Sequence, residues 1–126
     1  MGLQVGRTVA DRASTVDNPP MTQPDRLTKL LAMLEDDPED PFCLYGIAQE
    51  HAGRGDHPTA LEWYERAARA DPDDGYIHFH RARSLEDLGR VEEAMAAVRE
   101  GLEAADRAGD AHARSELAGL LESLGG

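Results

Sequence analysis

The chain has 126 residues and a formal net charge of −12 at pH 7. This length allows one modest hydrophobic core and is too short for two ordinary domains. Aromatic residues make up only 5% of the chain, and no stretch alternates apolar with polar residues over the length of a strand. Both observations argue against a β-sheet, and the abundance of Ala, Leu, Glu and Arg predicts an all-α fold.

The negative charge lies in residues 25–126, because residues 1–24 contain two acids and two bases and sum to zero. The remainder carries 23 of the 25 acids and 11 of the 13 bases. Such a surface repels phosphate, so nucleic acid and anionic membranes are poor partners. A basic or apolar partner protein is the expectation.

Cys43 is the single cysteine, so no disulfide can form within the chain and no cysteine-based metal cage can be built. A lone thiol is compatible with a reducing compartment. The N-terminus has no apolar run of signal-peptide length, and no stretch approaches the ~20 apolar residues of a membrane span. We therefore expect a protein of the cytoplasm.

In chain order, residues 1–24 come first, and we expect them to form a flexible lead. They show no hydrophobic periodicity and end in Asn18-Pro19-Pro20. Met21 would itself make a natural start. Two interpretations of the first twenty residues stay open: they belong to the native protein, or they come from an extended gene model or are leftover sequence.

Six helices joined by short turns follow this lead. Their predicted starts are Asp25, Asp40-Pro41, Pro58, Asp74, Val91 and the residues after Gly109-Asp110. Aspartate at an N-cap, and proline in the first turn, are typical helix starts. Short connections force neighbouring helices to lie antiparallel.

The helices recur with a period of 34 residues. Asp37-Pro38 and Asp71-Pro72 are separated by 34 positions, as are Gly55 and Gly89. The same spacing relates Ala48 to Ala82 and Ala60 to Ala94. A helix–turn–helix unit of this length is typical of one repeat architecture.

On these residues the sequence resembles the tetratricopeptide repeat family. The first full repeat matches the family motif at Leu44, Ile47, Ala48, His51, Ala60, Tyr64, Ala67 and Pro72. The second matches at Ala82, Leu85, Gly89, Ala94, Val98 and Gly101. The resemblance implies an α-solenoid over residues 25–126: a half-repeat helix at 25–38, repeats at 41–74 and 75–108, and a capping helix at 110–124.

Three positions depart from the motif. His78 stands where the motif has Trp, Arg81 where it has Leu, and Asp106 where it has Pro. We expect Arg81 to pack its aliphatic stem in the core and to extend its charged end outward. Without proline at position 106, the preceding helix is expected to continue to about Arg107.

Histidines and acids raise metal and catalytic hypotheses that their spacing does not support. His78 and His80 are two apart, so on a helix they point about 200° apart and cannot chelate one ion together. His51 and His57 occupy places where the motif prefers an aromatic ring, which favours packed imidazoles. The acid clusters lack the ligand ladder of a calcium loop, and neither Cys43 nor any serine has a nucleophile motif. We predict no metal, no cofactor and no enzymatic activity.

By the family resemblance, the first helix of each hairpin lines a concave groove that binds partner peptides. The groove residues implied are Phe42, Tyr45 and Gln49 in the first repeat, and Tyr76, Phe79 and Arg83 in the second. Aromatic residues and Arg are typical of binding hot spots. Two alternatives stay open: Phe42 and Tyr76 pack against the neighbouring hairpin, or the domain forms a homo-oligomer through its end helices.

One known mode of the family is not expected here. Some of its domains bind a C-terminal carboxylate of chaperones through Lys and Asn. The only Lys is Lys29 and the only Asn is Asn18, and both lie outside the two full repeats.

Overall fold

The computed structural model describes residues 25–126, so the predicted flexible lead at 1–24 lies outside the described residues. Within 25–126 the chain forms six helices and no strand. The helices are α1 (Arg26–Asp36), α2 (Pro41–Gly53), α3 (His57–Ala70), α4 (Gly75–Asp87), α5 (Val91–Ala108) and α6 (Ala111–Leu124). The predicted number of helices and the all-α class are confirmed.

The helices form two layers. Each helix packs on its neighbour in sequence, α2 also contacts α4, and α4 also contacts α6, whereas α3 and α5 make no such contact. The layer whose helices approach one another is the inner, concave layer, made of α2, α4 and α6. In this described part of the chain, no helix is long and apolar enough to cross a membrane.

Aspartate N-caps explain the acidic turns. Asp25, Asp40, Asp56, Asp74 and Asp110 each accept a backbone N–H of the first turn of the following helix. Each such cap stabilises its helix by about 1 kcal/mol. The capping role predicted for Asp25, Asp40 and Asp74 is confirmed, and Asp56 and Asp110 are caps that the sequence analysis did not predict.

Small side chains sit where the helices cross, as the motif predicts. Ala48, Ala60, Ala82 and Ala94 are fully buried, and Tyr64, Leu85 and Val98 fill the space beside them. Gly55 and Gly89 have φ of +80° and +77°, so they permit the chain reversals between paired helices. At the N-terminal end, Cys43 is fully buried in a cluster with Leu30 and Ile47.

The last hairpin departs from the 34-residue period. Helix α5 extends to Ala108, which confirms the predicted continuation, and Gly109 ends it with φ of +69°. Helix α4 begins 34 positions after α2, but α6 begins 36 positions after α4. The register of α6 is therefore shifted by two residues relative to the repeat.

Arg81 and His78 place polar atoms at the boundary between α4 and α5. The Arg81 side chain is 17% exposed and its Nη2 donates to Glu100 Oε1 at 2.8 Å. The Nε of Arg81 and the Nδ1 of His78 are buried and have no hydrogen-bond partner among the described residues. Burial and the charge of Arg81 lower the pKa of His78. The aliphatic stem of Arg81 is packed as predicted. Of its guanidinium, Nη2 has a hydrogen-bond acceptor and the buried Nε has none among the described residues.

Candidate protein-binding groove

The six residues predicted for the groove all lie on the inner helices α2 and α4. Phe42 is 58% exposed, one turn before Tyr45. Gln49 Nε2 donates to Tyr45 Oη at 3.4 Å, which ties these two side chains together. Arg83 is exposed and its Nε lies 3.5 Å from Glu86 Oε1.

Aromatic rings form a continuous row that begins on α3 and crosses the inner layer. Its members, in order, are Tyr64, Tyr45, His80, Phe79, Tyr76 and His112. Successive ring centroids are 6.2, 5.6, 5.2, 6.4 and 6.0 Å apart, which is the range of favourable aromatic contacts. Except for buried Tyr64 and exposed His112, each ring has part of its surface in the core and part in the groove. The row is thus both packed and accessible.

This arrangement bears on the alternative role of Phe42 and Tyr76 as packing residues. Tyr76 does pack toward the next helix, since its ring contacts His112 of α6 and the core beneath. Phe42 has more than half of its surface exposed. Packing and binding are therefore compatible for Tyr76, and Phe42 is free of the core.

Helix α6 supplies a third set of groove residues that the sequence reasoning missed. Ser115 and Gly119 share a depression with Phe79 and Arg83 of α4. His112 extends the aromatic row at the start of the same helix. These residues were missed because the two-residue register shift moves them away from the positions that a 34-residue period marks. His80 was considered only as a metal ligand.

Charges flank a neutral row. Burial, Asp74 and Tyr76 raise the pKa of Tyr45 to about 12. Burial and the carboxylates of Asp110, Glu116 and Asp74 raise the pKa of Tyr76. Burial, followed by the charge of Arg83, lowers the pKa of His80, which favours the neutral imidazole. The shifts at Tyr45, Tyr76 and His80 thus all favour uncharged rings, and carboxylates lie along one edge.

Alkaline titration tests the burial of these rings. All three tyrosines of the chain, Tyr45, Tyr64 and Tyr76, have a pKa raised above 10.0. The folded state therefore holds its phenolic protons to a higher pH than the unfolded state, and stability must fall as pH rises from 10 toward 12. Absorbance at the tyrosinate band should show no native titration centred at 10.

The control for this titration is the protein in urea, where all three phenols should ionise near 10. A Tyr45→Phe variant should lose the step near 12, and the pKa of Tyr64 should fall somewhat, because the charge of Tyr45 contributes to raising it. A native phenol that titrates at its unfolded value would contradict the packing described for the row.

A second polar cluster joins α3 to α4. His57 Nδ1 lies 3.0 Å from Ser84 Oγ, and its Nε2 lies 3.4 Å from Asp87 Oδ2. These are the residue types of a hydrolase triad. However, Ser84 is 2% exposed, and within α4 its neighbouring backbone N–H groups serve the helix, so neither substrate access nor an oxyanion site is provided. The cluster fastens the two helices together, with His57 packed as predicted.

The histidines do not converge on a metal site. His78 is buried near Glu100 of α5, whereas His80 contacts Tyr45 in the groove. Their opposite directions are as predicted. Within residues 25–126 no group of three or more potential ligands is placed to hold a metal ion.

Two stacked hairpins with a groove of aromatic residues define a helical-repeat protein of the scaffold type. The tetratricopeptide repeat profile matches residues 45–111, which is more than half of the chain. The chain belongs to the tetratricopeptide repeat family.

Solved structures share this fold. A tetratricopeptide repeat domain protein from Salinibacter ruber is 31% identical, with a TM-score of 0.64 over 69% of this chain and 98% of that one. The translocator chaperone SycD of Yersinia enterocolitica is 19% identical, with a TM-score of 0.71 over 78% of this chain and 68% of that one. PcrH of Pseudomonas aeruginosa, in complex with the chaperone-binding region of PopD, is 22% identical with a TM-score of 0.72 over 78% and 74%.

A curated relative is far longer than this chain. Superkiller complex protein 3 of the mouse is 36% identical over 67 residues, which are 53% of this chain but 4% of that protein. The match therefore concerns the repeats alone.

Proposed function

We propose that this protein is an interaction module that binds a peptide or helical segment of a partner protein in the groove of α2, α4 and α6. The observation that carries the proposal is the continuous aromatic row from Tyr45 through His80 and Phe79 to Tyr76, with rings that are packed yet accessible. Rigid rings of this kind supply contact area with little loss of conformational entropy. Phe42, Gln49 and Arg83 complete the surface.

Neighbours of the same fold support the proposal by analogy. The PcrH structure holds the chaperone-binding region of PopD, and SycD has been solved with a peptide of the translocator YopD. In our proposal, residues 41–74 and 75–108 act as two repeats, and the half-repeat at 25–38 and the capping helix at 110–124 flank them. The proposed function involves neither a cofactor nor catalysis. The proposal keeps the cytoplasmic location that the sequence analysis expects.

Affinity capture of partner proteins tests the proposal directly. The variant Tyr45→Ala/Phe79→Ala should lose the captured partners, because it removes two rings from the middle of the row. Leu88→Ala/Val91→Ala is the matched control, since it truncates two exposed apolar residues at the α4–α5 turn. Unchanged capture by the groove variant would overturn the proposal.

A second groove variant guards against loss of the fold. Phe42→Ala/Arg83→Ala changes two exposed side chains, so the free energy of unfolding should change by less than about 1 kcal/mol. This variant should also capture less partner. Circular dichroism would verify that both groove variants remain helical.

Self-association through the end helices is the second candidate. It is favoured by Leu31 and Met33 of α1, which are 42% and 47% exposed. Because these residues are two apart on a helix, they point to different sides, so each offers its own small apolar contact, and the test uses Leu31. Light scattering that gave a dimer, converted to a monomer by Leu31→Glu, would support this candidate over the groove.

A further inference from the structure

The groove has an acidic edge whose carboxylates are not neutralised by arginine. The inner helices run parallel, so their N-caps Asp40, Asp74 and Asp110 lie along one edge. Asp74, Asp110 and the neighbouring Glu116 of α6 all act on the Tyr76 phenol. This edge therefore meets the aromatic row at Tyr76.

These three carboxylates differ from the surface acids that are paired with arginine. Glu100, Asp73 and Asp106 each form an ion pair with an arginine, at 2.8, 2.7 and 3.4 Å. Among residues 25–126, by contrast, Asp74 and Asp110 have no ion pair, and Glu116 has only His112 at 3.9 Å. Their negative charge remains available to a ligand.

Capping leaves part of each aspartate free. Asp74 Oδ1 accepts the Tyr76 N–H and Asp110 Oδ1 accepts the Ala113 N–H, both at 3.0 Å. The Oδ2 atoms accept no hydrogen bond from the described residues. The backbone thus holds each carboxylate in place while one oxygen can receive an N–H from a ligand.

We propose that the groove selects partner segments that carry a Lys or Arg side chain. The cation sits on the Tyr76 and Phe79 rings, and the carboxylates of Asp74, Asp110 and Glu116 surround it. Apolar side chains of the same segment lie along the rest of the row. The inference rests on the proposed function and names its partner's chemistry. A cation over an aromatic ring and beside carboxylates is bound by both. Arg83 lies one turn beyond Phe79 and shares a depression with Phe79 and Glu116, so its positive charge confines the preference to the Tyr76 end of the row.

Charge-neutral variants that keep the caps provide the test. Asp74→Asn/Asp110→Asn/Glu116→Gln removes three negative charges, and Asn is as good an N-cap as Asp. The control variant Glu62→Gln/Glu92→Gln/Glu103→Gln changes the net charge equally on the outer helices α3 and α5. The probes are peptides selected from a displayed library of random decapeptides on the unmodified protein.

We expect enriched peptides to combine apolar residues with one Lys or Arg. In fluorescence anisotropy, the unmodified protein and the control variant should prefer such a peptide over its Gln analogue by about tenfold. In the groove variant the preference should fall to within about twofold. Enriched peptides without a basic residue, or a preference that survives in the groove variant, would overturn the inference.

The proposed function is tested separately in the same experiment. Peptides that bind the unmodified protein but not Tyr45→Ala/Phe79→Ala support the groove whatever their charge. If no selected peptide depends on those two rings, the proposed function fails and this inference fails with it.

Discussion

Replacing Gly101 by alanine is expected to destabilise the domain by about 2 kcal/mol. Gly101 is buried in α5, where α4 and α6 both pack on it. A Cβ at this position would lie 2.8 Å from His78 Cβ and 2.8 Å from Leu117 Cδ2. Leu117 can rotate, but His78 Cβ is fixed to the α4 backbone, so two helices must separate. This cost exceeds the ~1 kcal/mol that alanine gains in helix propensity.

Gly119→Ala is the matched control for this prediction. Gly119 lies inside α6, and a Cβ there would meet nothing within 4 Å. The variant should therefore gain about 0.5–1 kcal/mol from helix propensity alone. Urea denaturation of the two variants beside the unmodified protein measures both effects. A Gly101→Ala protein as stable as the Gly119→Ala protein would mean that the three helices do not converge at Gly101.

Replacing Arg81 by leucine is expected to stabilise the domain by about 2 kcal/mol. The substitution removes the buried Arg81 Nε that has no partner among the described residues. It fills the same space with apolar atoms at the floor of the furrow between α3 and α5. The ion pair that is lost ends on Glu100, which is 59% exposed, so no charge is left buried. The pKa of His78 should also rise, since Arg81 contributes to its lowering.

The variant Glu100→Gln separates the contribution of the Arg81–Glu100 ion pair to stability from the contribution of the packed Arg81 side chain. This variant breaks the ion pair but keeps the guanidinium and its stem, and an exposed pair of this kind is worth about 0–1 kcal/mol. Thermal denaturation followed by circular dichroism compares the two variants. A loss of stability in Arg81→Leu would show that the polar pair contributes more than apolar packing does at this boundary.

The sequence predicted the elements and their order well, for a physical reason. Asp-Pro pairs, N-cap aspartates and positive-φ glycines act locally, so Asp40, Asp74 and Gly89 could be assigned without knowledge of the tertiary structure. The 34-residue period then placed alanines of neighbouring helices opposite each other. Repeat proteins are favourable in this respect, because each contact is made with the next unit in the chain.

The composition of the groove was harder to predict, because it depends on contacts between helices. Spacing along α4 indicates that Tyr76 and Phe79 share a face, but it does not indicate that His80 meets Tyr45 across the α2–α4 boundary. The contribution of α6 was hidden by the two extra residues at the last turn. A length change in one turn is visible in the sequence only after the helix beyond it has been located.

The buried thiol of Cys43 can report the local opening of helix α1. Cys43 is fully buried in a cluster with Leu30 of α1, so a thiol reagent reaches it only after a local opening, and burial and Asp40 also raise the pKa of the thiol. The main chain of α1 approaches α2 alone among the described helices, which makes detachment of α1 the least costly local opening of the stack. The rate of Cys43 labelling therefore reports how readily α1 opens while the remaining described helices stay folded.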